Sequence, residues 1–502
     1  MVGLFGTLGT ATSGLNANQT ALQTASHNIA NTNTDGYSRQ RVGLHTQNPY
    51  SMAGVGTIGT GVRVANVQRI TDEFIAGQVR QSNSKYQAQA QKADTLGQLE
   101  SILGEPSSSG LMNAMNVLND SWTKLANNPE LDTAKTLVVE NANSFLDILH
   151  NISNQTSQLR SDTTDSIAKS TLDFNEKIKQ LKDVNDQVYN MSLQGETPND
   201  LLDTRDSLLK DLSGLASVTT SVDQYGRASV QLGGQTLLDD KQLNTVGVVV
   251  ANESGKAMIS ETGNQLVKPI ASGQDLAVGT LVVKNNTGYT EVKTEGGSIG
   301  GKQAAYGSID ERLNELNQFA EVAARSTNLI FTNGTSETEG FYKIDPTKIS
   351  TSQSITVNEQ YKTNPTSLSV GKTATSPVGD GTKALAIAQL ATKKIGSASE
   401  LGSTYQKDSF TFAPTANGMT TAGYFNAIVT KNGITKQQAD NSAKAQLSVL
   451  NQLEYKEQSI SGVSMNEEMS DVIRFQQGFQ ANARIISVVS EMLDTLINRT
   501  GR

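Results

Sequence analysis

The sequence predicts a mainly α-helical protein with an inserted β region, and three observations lead there. Apolar residues at helical spacing occupy both ends of the chain and most of its middle. Short β-prone runs broken by Gly, Asn and Asp are concentrated in one central stretch. The 502 residues are 36% hydrophobic and only 5% aromatic, which describes thin helix-rich layers and not one thick enzyme core. A chain of this length holds roughly two to four domains. The expected architecture is a pair of terminal coiled-coil helices, an elongated helical bundle and a β-rich inserted outer domain.

Charge and composition exclude several functions. Lys and Arg number 41 against 49 Asp and Glu, a formal net charge of −8, with no basic block to suggest a nucleic-acid partner. The chain has no Cys, which removes thiol catalysis, disulfides and Cys-ligated zinc. No apolar run approaches the roughly 18 residues of a membrane span. The first basic residue is Arg39, so the start does not read as a secretory signal peptide. No membrane contact, metal or cofactor is expected, and export from the cell would need another route.

The amino end carries Leu8, Leu15, Leu22 and Ile29 at every seventh residue, with Leu4, Ala11, Asn18 and Ala25 between them. That is a heptad seam. The carboxyl end repeats the pattern through Met465, Met469, Val472, Phe475, Phe479, Ala483, Ile486, Val489, Leu493 and Leu496. Each seam needs a partner, and the tethered candidate is the other one. Four large residues on the amino seam stabilise by roughly 1.5 to 3 kcal/mol each when fully buried. Ordering some thirty residues costs on the order of tens of kcal/mol, so the pair is expected to be marginal without neighbouring copies.

Between Ser26 and Gln40, Asn, Thr, Asp and Gly crowd together, ending a helix and starting an extended segment. Residues 47–69 are Gly-rich, and 61–68 alternate as a strand does. Gly54, Gly56 and Gly59 have dinucleotide-binding spacing, but no helix follows to hold a pyrophosphate, and a Gly-rich hairpin is expected instead. Helical spacing returns over 71–103, 111–126 and 131–191, long thin helices suited to a rod. His150 has no second ligand at helical spacing and reads as a helix-surface residue.

Pro198 and Asn199 start another helix. Asp200, Asp203 and Asp206 step by three on one of its faces, a pattern that fits acid–base chemistry or a cation site. With Arg205 among them, a solvated face is the simpler reading. Past Gly214, runs 218–222, 228–232, 246–251 and 281–284 read as strands, helical spacing resumes over 309–330, and 354–357 and 366–370 look strand-like. Helices are expected again at 384–391 and 420–453, with Gly462 as a hinge before the terminal seam. The expected division is 1–46 with 464–502 as the terminal coiled-coil domain, and 47–215, 301–335 and 378–463 as the helical rod. Residues 216–300 form the inserted β domain, and 336–377 a β-rich extension of open placement.

The run Asn28, Ala30, Asn31, Gly36, Tyr37, Ser38, Arg39, Gln40 resembles a motif of bacterial flagellar axial proteins, and most resembles the hook-filament junction family. The stretches 67–74, 198–209, 459–468 and 474–477 are similar to the same family; the β segment has no such match. The resemblance implies a structural subunit exported through the flagellar type III pathway. It also implies partners: copies of the chain, the flagellar hook protein, a second junction protein and an export chaperone on the carboxyl helix. Another axial protein, of hook or rod, is the nearest alternative. A secreted adhesin or hydrolase using flagellar-type ends for export is a second, although neither a two-histidine zinc helix nor a Gly-flanked nucleophilic Ser is present.

Overall fold

The computed structural model describes residues 2–52, 56–253, 256–261, 267–269, 276–285, 288–345, 350–373 and 375–499. Helix α1 (Val2–Ala30) leads into β1 (Gln40–Thr46), a small hairpin of β2 (Tyr50–Met52) and β3 (Gly56–Ile58), and β4 (Val62–Arg69), which pairs antiparallel with β1. The Gly-rich stretch is therefore hairpin, and of the three dinucleotide-spaced glycines Gly54 lies outside the described residues. Then come α2 (Glu73–Leu103), α3 (Leu111–Asn127), α4 (Asp132–Leu193) and α5 (Asn199–Leu215). Asp72 caps α2 by accepting from the backbone N–H groups of Phe74 and Ile75 at 2.9 and 3.2 Å. At 62 residues, α4 extends for about 93 Å at ~1.5 Å per residue.

The β insert forms two antiparallel sheets. One joins β5 (Val218–Val222), β6 (Ala228–Leu232) and β7 (Gln235–Leu238); the other has the order β10-β9-β8-β11-β12. Those strands are β8 (Val246–Glu253), β9 (Lys256–Ser260), β10 (Val267–Pro269), β11 (Leu281–Asn285) and β12 (Gly288–Val292). The insert does not enclose its main core alone. Val230, Leu232, Val248 and Val283 bury against Phe174, Ile178 and Leu181 of α4 and Leu209 and Leu212 of α5, so strand and helix share one apolar cluster.

Helix α6 (Gly297–Thr332) starts earlier than apolar spacing suggests, because its first turns contain Gly300 and Gly301. A Cβ at Gly301 would lie 2.2 Å from the Ala88 carbonyl oxygen, so the glycine is what lets α6 cross α2 backbone to backbone. The segment 336–377, expected to be β-rich, instead contributes short pieces to the helical core. Among its described residues are two two-residue strands, β13 (Tyr342–Lys343) and β14 (Thr356–Val357), with short helices α7 (Thr351–Ser354) and α8 (Glu359–Thr363). The strand expected at 366–370 is a 3₁₀ turn followed by irregular chain whose Leu368 and Val370 are buried. Phe341 fills the space beside Trp122, with ring centroids 4.9 Å apart. His150, expected on the surface, is half-buried here, 2.9 Å from the Ile355 carbonyl oxygen through Nε2.

After α9 (Thr382–Ala388), α10 (Leu401–Thr404) and the short strands β15 (Tyr405–Gln406) and β16 (Thr411–Phe412), α11 (Thr421–Ser461) returns along α2. Phe425 and Ile428 of α11 join Leu96, Leu99 and Leu103 of α2 in the main core. Leu450 of α11 meets Ile75 and Val79 at the other end of α2. Helix α12 (Met465–Asp494) then packs on α1.

Candidate assembly site at the paired termini

α1 and α12 are antiparallel, and their register can be read from glycines. A Cβ at Gly14 would meet the Asn482 amide at 2.8 Å, and one at Gly478 would meet the Asn18 amide at 2.7 Å. Each asparagine thus covers the other helix's glycine, and each donates back to the carbonyl of its own helix's glycine, Asn18 to Gly14 at 2.7 Å and Asn482 to Gly478 at 2.9 Å. The missing side chains let the backbones approach closely. Further along, Asn28 lies opposite Glu468 in the same register. The line of α1 facing α12 therefore runs Ala11, Gly14, Asn18, Ala21, Ala25, Asn28, of which the alanines and Asn28 are buried.

At the foot of this pair the motif residues form one polar joint. Buried Asn28 donates to the Gln40 carbonyl at 2.9 Å and to Glu468 at 3.0 Å. Its Oδ1 accepts from Tyr37 at 2.7 Å and from the Gln40 N–H at 3.0 Å. Arg39 reaches Glu468 at 2.6 Å and Glu467 at 3.2 Å, and its N–H donates to the Ser461 carbonyl at 2.8 Å. From α5, Asp203 accepts from the Ser38 N–H at 3.1 Å and Asp200 from Gln40 at 3.0 Å. Arg69 at the end of β4 then ties Asp203 and Asp206 at 2.7 and 2.9 Å. Elements from distant parts of the sequence, α1, β1, β4, α5, α11 and α12, are locked here by hydrogen bonds, several of them buried or charge-assisted.

The electrostatics follow from this crowding. Burial, reinforced by the charges of Asp200, Asp203 and Glu468, pushes the Tyr37 phenol well above its usual range. Burial works to lower the Arg69 guanidinium, but Asp206 and Asp203 outweigh it and raise it. The Asp200, Asp203, Asp206 face, expected to be solvated, is so only in part: Asp203 and Arg205 are buried and Asp206 half-buried, while Asp200 stays exposed. Arg205 is held by Asp206 at 2.6 Å and by the Gly226 carbonyl, also at 2.6 Å.

Comparisons with known proteins identify this arrangement. The model of the flagellar hook-associated protein FlgK helical domain matches residues 96–340, that of the flagella basal body rod protein residues 8–37, and that of the flagellar basal body rod FlgEFG protein C-terminal residues 458–499. Flagellar hook-associated protein 1 of Bacillus subtilis is 28% identical, over 100% of this chain and 99% of the relative. Its namesake from Salmonella typhimurium is 24% identical, over 97% of this chain and 98% of the relative. Over its whole length the chain is similar to the hook-associated protein 1 family. The solved flagellar hook junction protein FlgK from Burkholderia pseudomallei shares the fold, with a TM-score of 0.58 at 14% identity, covering 76% of this chain and 100% of that one. A member of the hook-associated protein 1 family is a structural protein of the hook-filament junction in the extracellular flagellum, where it assembles with copies of itself and with axial neighbours. Among the described residues, no helix is long and apolar enough to cross a membrane.

In this hook-associated chain the seam residues are placed unevenly. Leu8, Leu15, Leu22 and Ile29 are half-buried flanks of the Ala/Gly/Asn line and do not form its centre. On α12, Val489 is buried and Val472, Phe475, Phe479, Ile486 and Leu493 are half-buried, whereas Met469 and Leu496 are 53% and 45% exposed. Of the motif residues, Asn28, Ser38 and Gln40 are buried, Tyr37, Arg39 and Asn31 half-buried, and Ala30 and Gly36 exposed. Gly462 follows α11, where a Cβ would lie 2.3 Å from the Gln458 carbonyl oxygen. The glycine–asparagine interlock escapes a search for large apolar residues. Its signal is the near-repeat Gly14-Leu15-Asn16-Ala17-Asn18 and Gly478-Phe479-Gln480-Ala481-Asn482.

Proposed function

We propose that the chain builds the hook-filament junction by packing its α1–α12 pairs side by side, with residues 1–46 and 464–502 as the assembling unit. The helical segments 47–215, 301–335 and 378–463 hold this unit on a rod, the insert 216–300 lies in an outer layer, and Gly462 is the hinge between rod and seam. The observation that supports this reading is the interlock of Gly14 with Asn482 and of Asn18 with Gly478. It fixes the pair through small residues and leaves the leucine flanks for neighbours. Contacts between unlike patches on identical subunits generate rings or helical arrays.

The hook protein below, a second junction protein above and an export chaperone on α12 complete the proposal, with passage through the flagellar type III route without a cleaved signal peptide. An apolar helix face unpaired before assembly is an aggregation hazard, which gives the chaperone a physical purpose. The role includes no catalysis: the one row of carboxylates suggestive of chemistry, Asp200, Asp203 and Asp206, is engaged in the joint. Leu22→Asp and Ile486→Asp are expected to remove the chain from the junction while the rod still unfolds at the wild-type temperature. Immunogold labelling of flagella checks this, and a normal band at the outer boundary of the hook in either variant would refute it.

A further inference from the structure

We propose that the groove between α1 and the β1–β4 hairpin receives the outward flank of α12 from a second copy of the chain. This rests on the side-by-side packing above and names its contact surfaces. The groove, about 700 Å³, is lined by Phe5, Leu8, Ala17, Val62, Arg63 and Val64. At 3.6 residues per turn, Phe5, Gly9, Thr12 and Asn16 lie roughly half a turn from the line of α1 that meets α12. The groove therefore opens on the side of α1 where α12 of the same chain does not reach. Phe5 at its edge is 55% exposed.

The occupant is defined by three features. Ile485, Val488 and Met492 of α12 are 43%, 49% and 52% exposed, an apolar flank without a cover in the single chain. The register set by Gly14 with Asn482 and Asn18 with Gly478 brings Ile485, Val488 and Met492 level with Ala11, Leu8 and Leu4. Flank and groove thus share one height, and two copies with parallel axes meet without sliding along each other. Arg63 on the groove wall and Glu491 beside Met492 are both exposed, and among the described residues neither forms an ion pair within the chain. Their opposite charges suit a contact between copies. Because groove and flank are different surfaces, the contact is heterologous and passes from copy to copy.

The chain has no Cys, so introduced thiols report cleanly. Full-length Val64→Cys and Val488→Cys chains, co-expressed in one flagellated strain, are oxidised in isolated flagella and separated by non-reducing electrophoresis. A dimer formed only when both variants are present is expected, since each molecule carries one thiol and cannot link to itself. A dimer from Val488→Cys alone, or a link solely to a different protein, overturns the assignment. So does the absence of dimer in flagella that contain both chains. That last result leaves side-by-side packing standing, because Leu22→Asp tests it separately. If either thiol variant is missing from flagella, charge reversal decides: Arg63→Glu is expected to deplete the chain from the junction and Glu491→Arg in the same chain to restore it. Failure to restore overturns the pairing.

Discussion

Around Trp122, Phe319, Phe341 and Phe425 the rod buries whole aromatic rings at 1% exposure or less, whereas the α1–α12 pair buries Ala11, Ala21, Ala25 and Asn28 and leaves Phe5 and Met492 more than half exposed. The rod uses large side chains internally, so its stability belongs to the single chain. In the terminal pair, small residues set the distance between helices, a polar joint sets their direction, and most of the large residues lie on the flanks, half-buried or exposed. On the assembly proposed above, that pair would gain stability from neighbouring copies, and the contrast sets a region with its own core beside one whose large side chains are left for contacts between copies.

The most forceful way to break this contrast is inside the rod. Phe341→Ala removes a fully buried ring that packs on Trp122 and is expected to cost about 3–5 kcal/mol. Denaturant unfolding of the monomer measures it, and an unchanged midpoint would mean that 336–377 is decoration on the rod and not part of its core. Next in size is Glu468→Ala. It strips the buried carboxylate from Arg39 and Asn28, a loss of about 3–5 kcal/mol when a buried pair is broken, moderated because Arg39 is 24% exposed. Hydrogen exchange in α1 and α12 should accelerate while α2 and α4 keep their protection. Uniform acceleration would show that the two regions are one cooperative unit.

A third test compares glycines. At Gly301 an added methyl meets the Ala88 backbone at 2.2 Å, and at Gly478 it meets the end of the Asn18 side chain at 2.7 Å. Backbone cannot swing aside and an amide can. Overpacking of this kind costs roughly 1–3 kcal/mol, so Gly301→Ala should lie at the upper end by thermal unfolding. Gly478→Ala should lie at the lower end and appear mainly as a weaker hold between α1 and α12. The reverse order would mean that the interlock, and not the α2–α6 crossing, is the tighter contact.

Much of this was legible in the sequence because long helices with regular apolar spacing announce themselves. The span expected at 131–191 is α4, and strands 218–222 and 228–232 coincide with β5 and β6. What periodicity could not show is contact made by the absence of a side chain. Gly300 and Gly301 hide the start of α6, and Gly14 and Gly478 hide part of the facing line of the termini: Ala11, Asn18 and Ala25 of the heptad strip lie on that line, whereas its leucines lie on the flank. The acidic row at Asp200, Asp203 and Asp206 is hard to read for a related reason. Its partners Ser38, Gln40 and Arg69 are more than a hundred residues away, and no local pattern reveals that the middle of a charged face will be buried.

The smallest expected effect concerns pH and lies where the two regions meet. Glu457 on α11 lines the cleft beside the joint, about 1070 Å³. Burial raises its carboxyl, Lys210 and Arg80 opposing and Glu454 and Asp206 adding to the rise. A carboxyl raised on folding holds its proton more tightly in the native chain. Its contribution to stability is therefore complete below the unfolded value, ~4.3, and is lost as pH rises through the folded one. Glu457→Gln has no such proton to lose. The variant should unfold at a slightly higher temperature than wild type at neutral pH and converge with it near pH ~4. The difference is small because the side chain is only half-buried and water screens it. Thermal melts of both chains across that range decide the matter. A wild-type advantage that grows with pH would mean that Glu457 is held as a paired anion, and that the cleft belongs electrostatically to the polar joint and not to the helical rod.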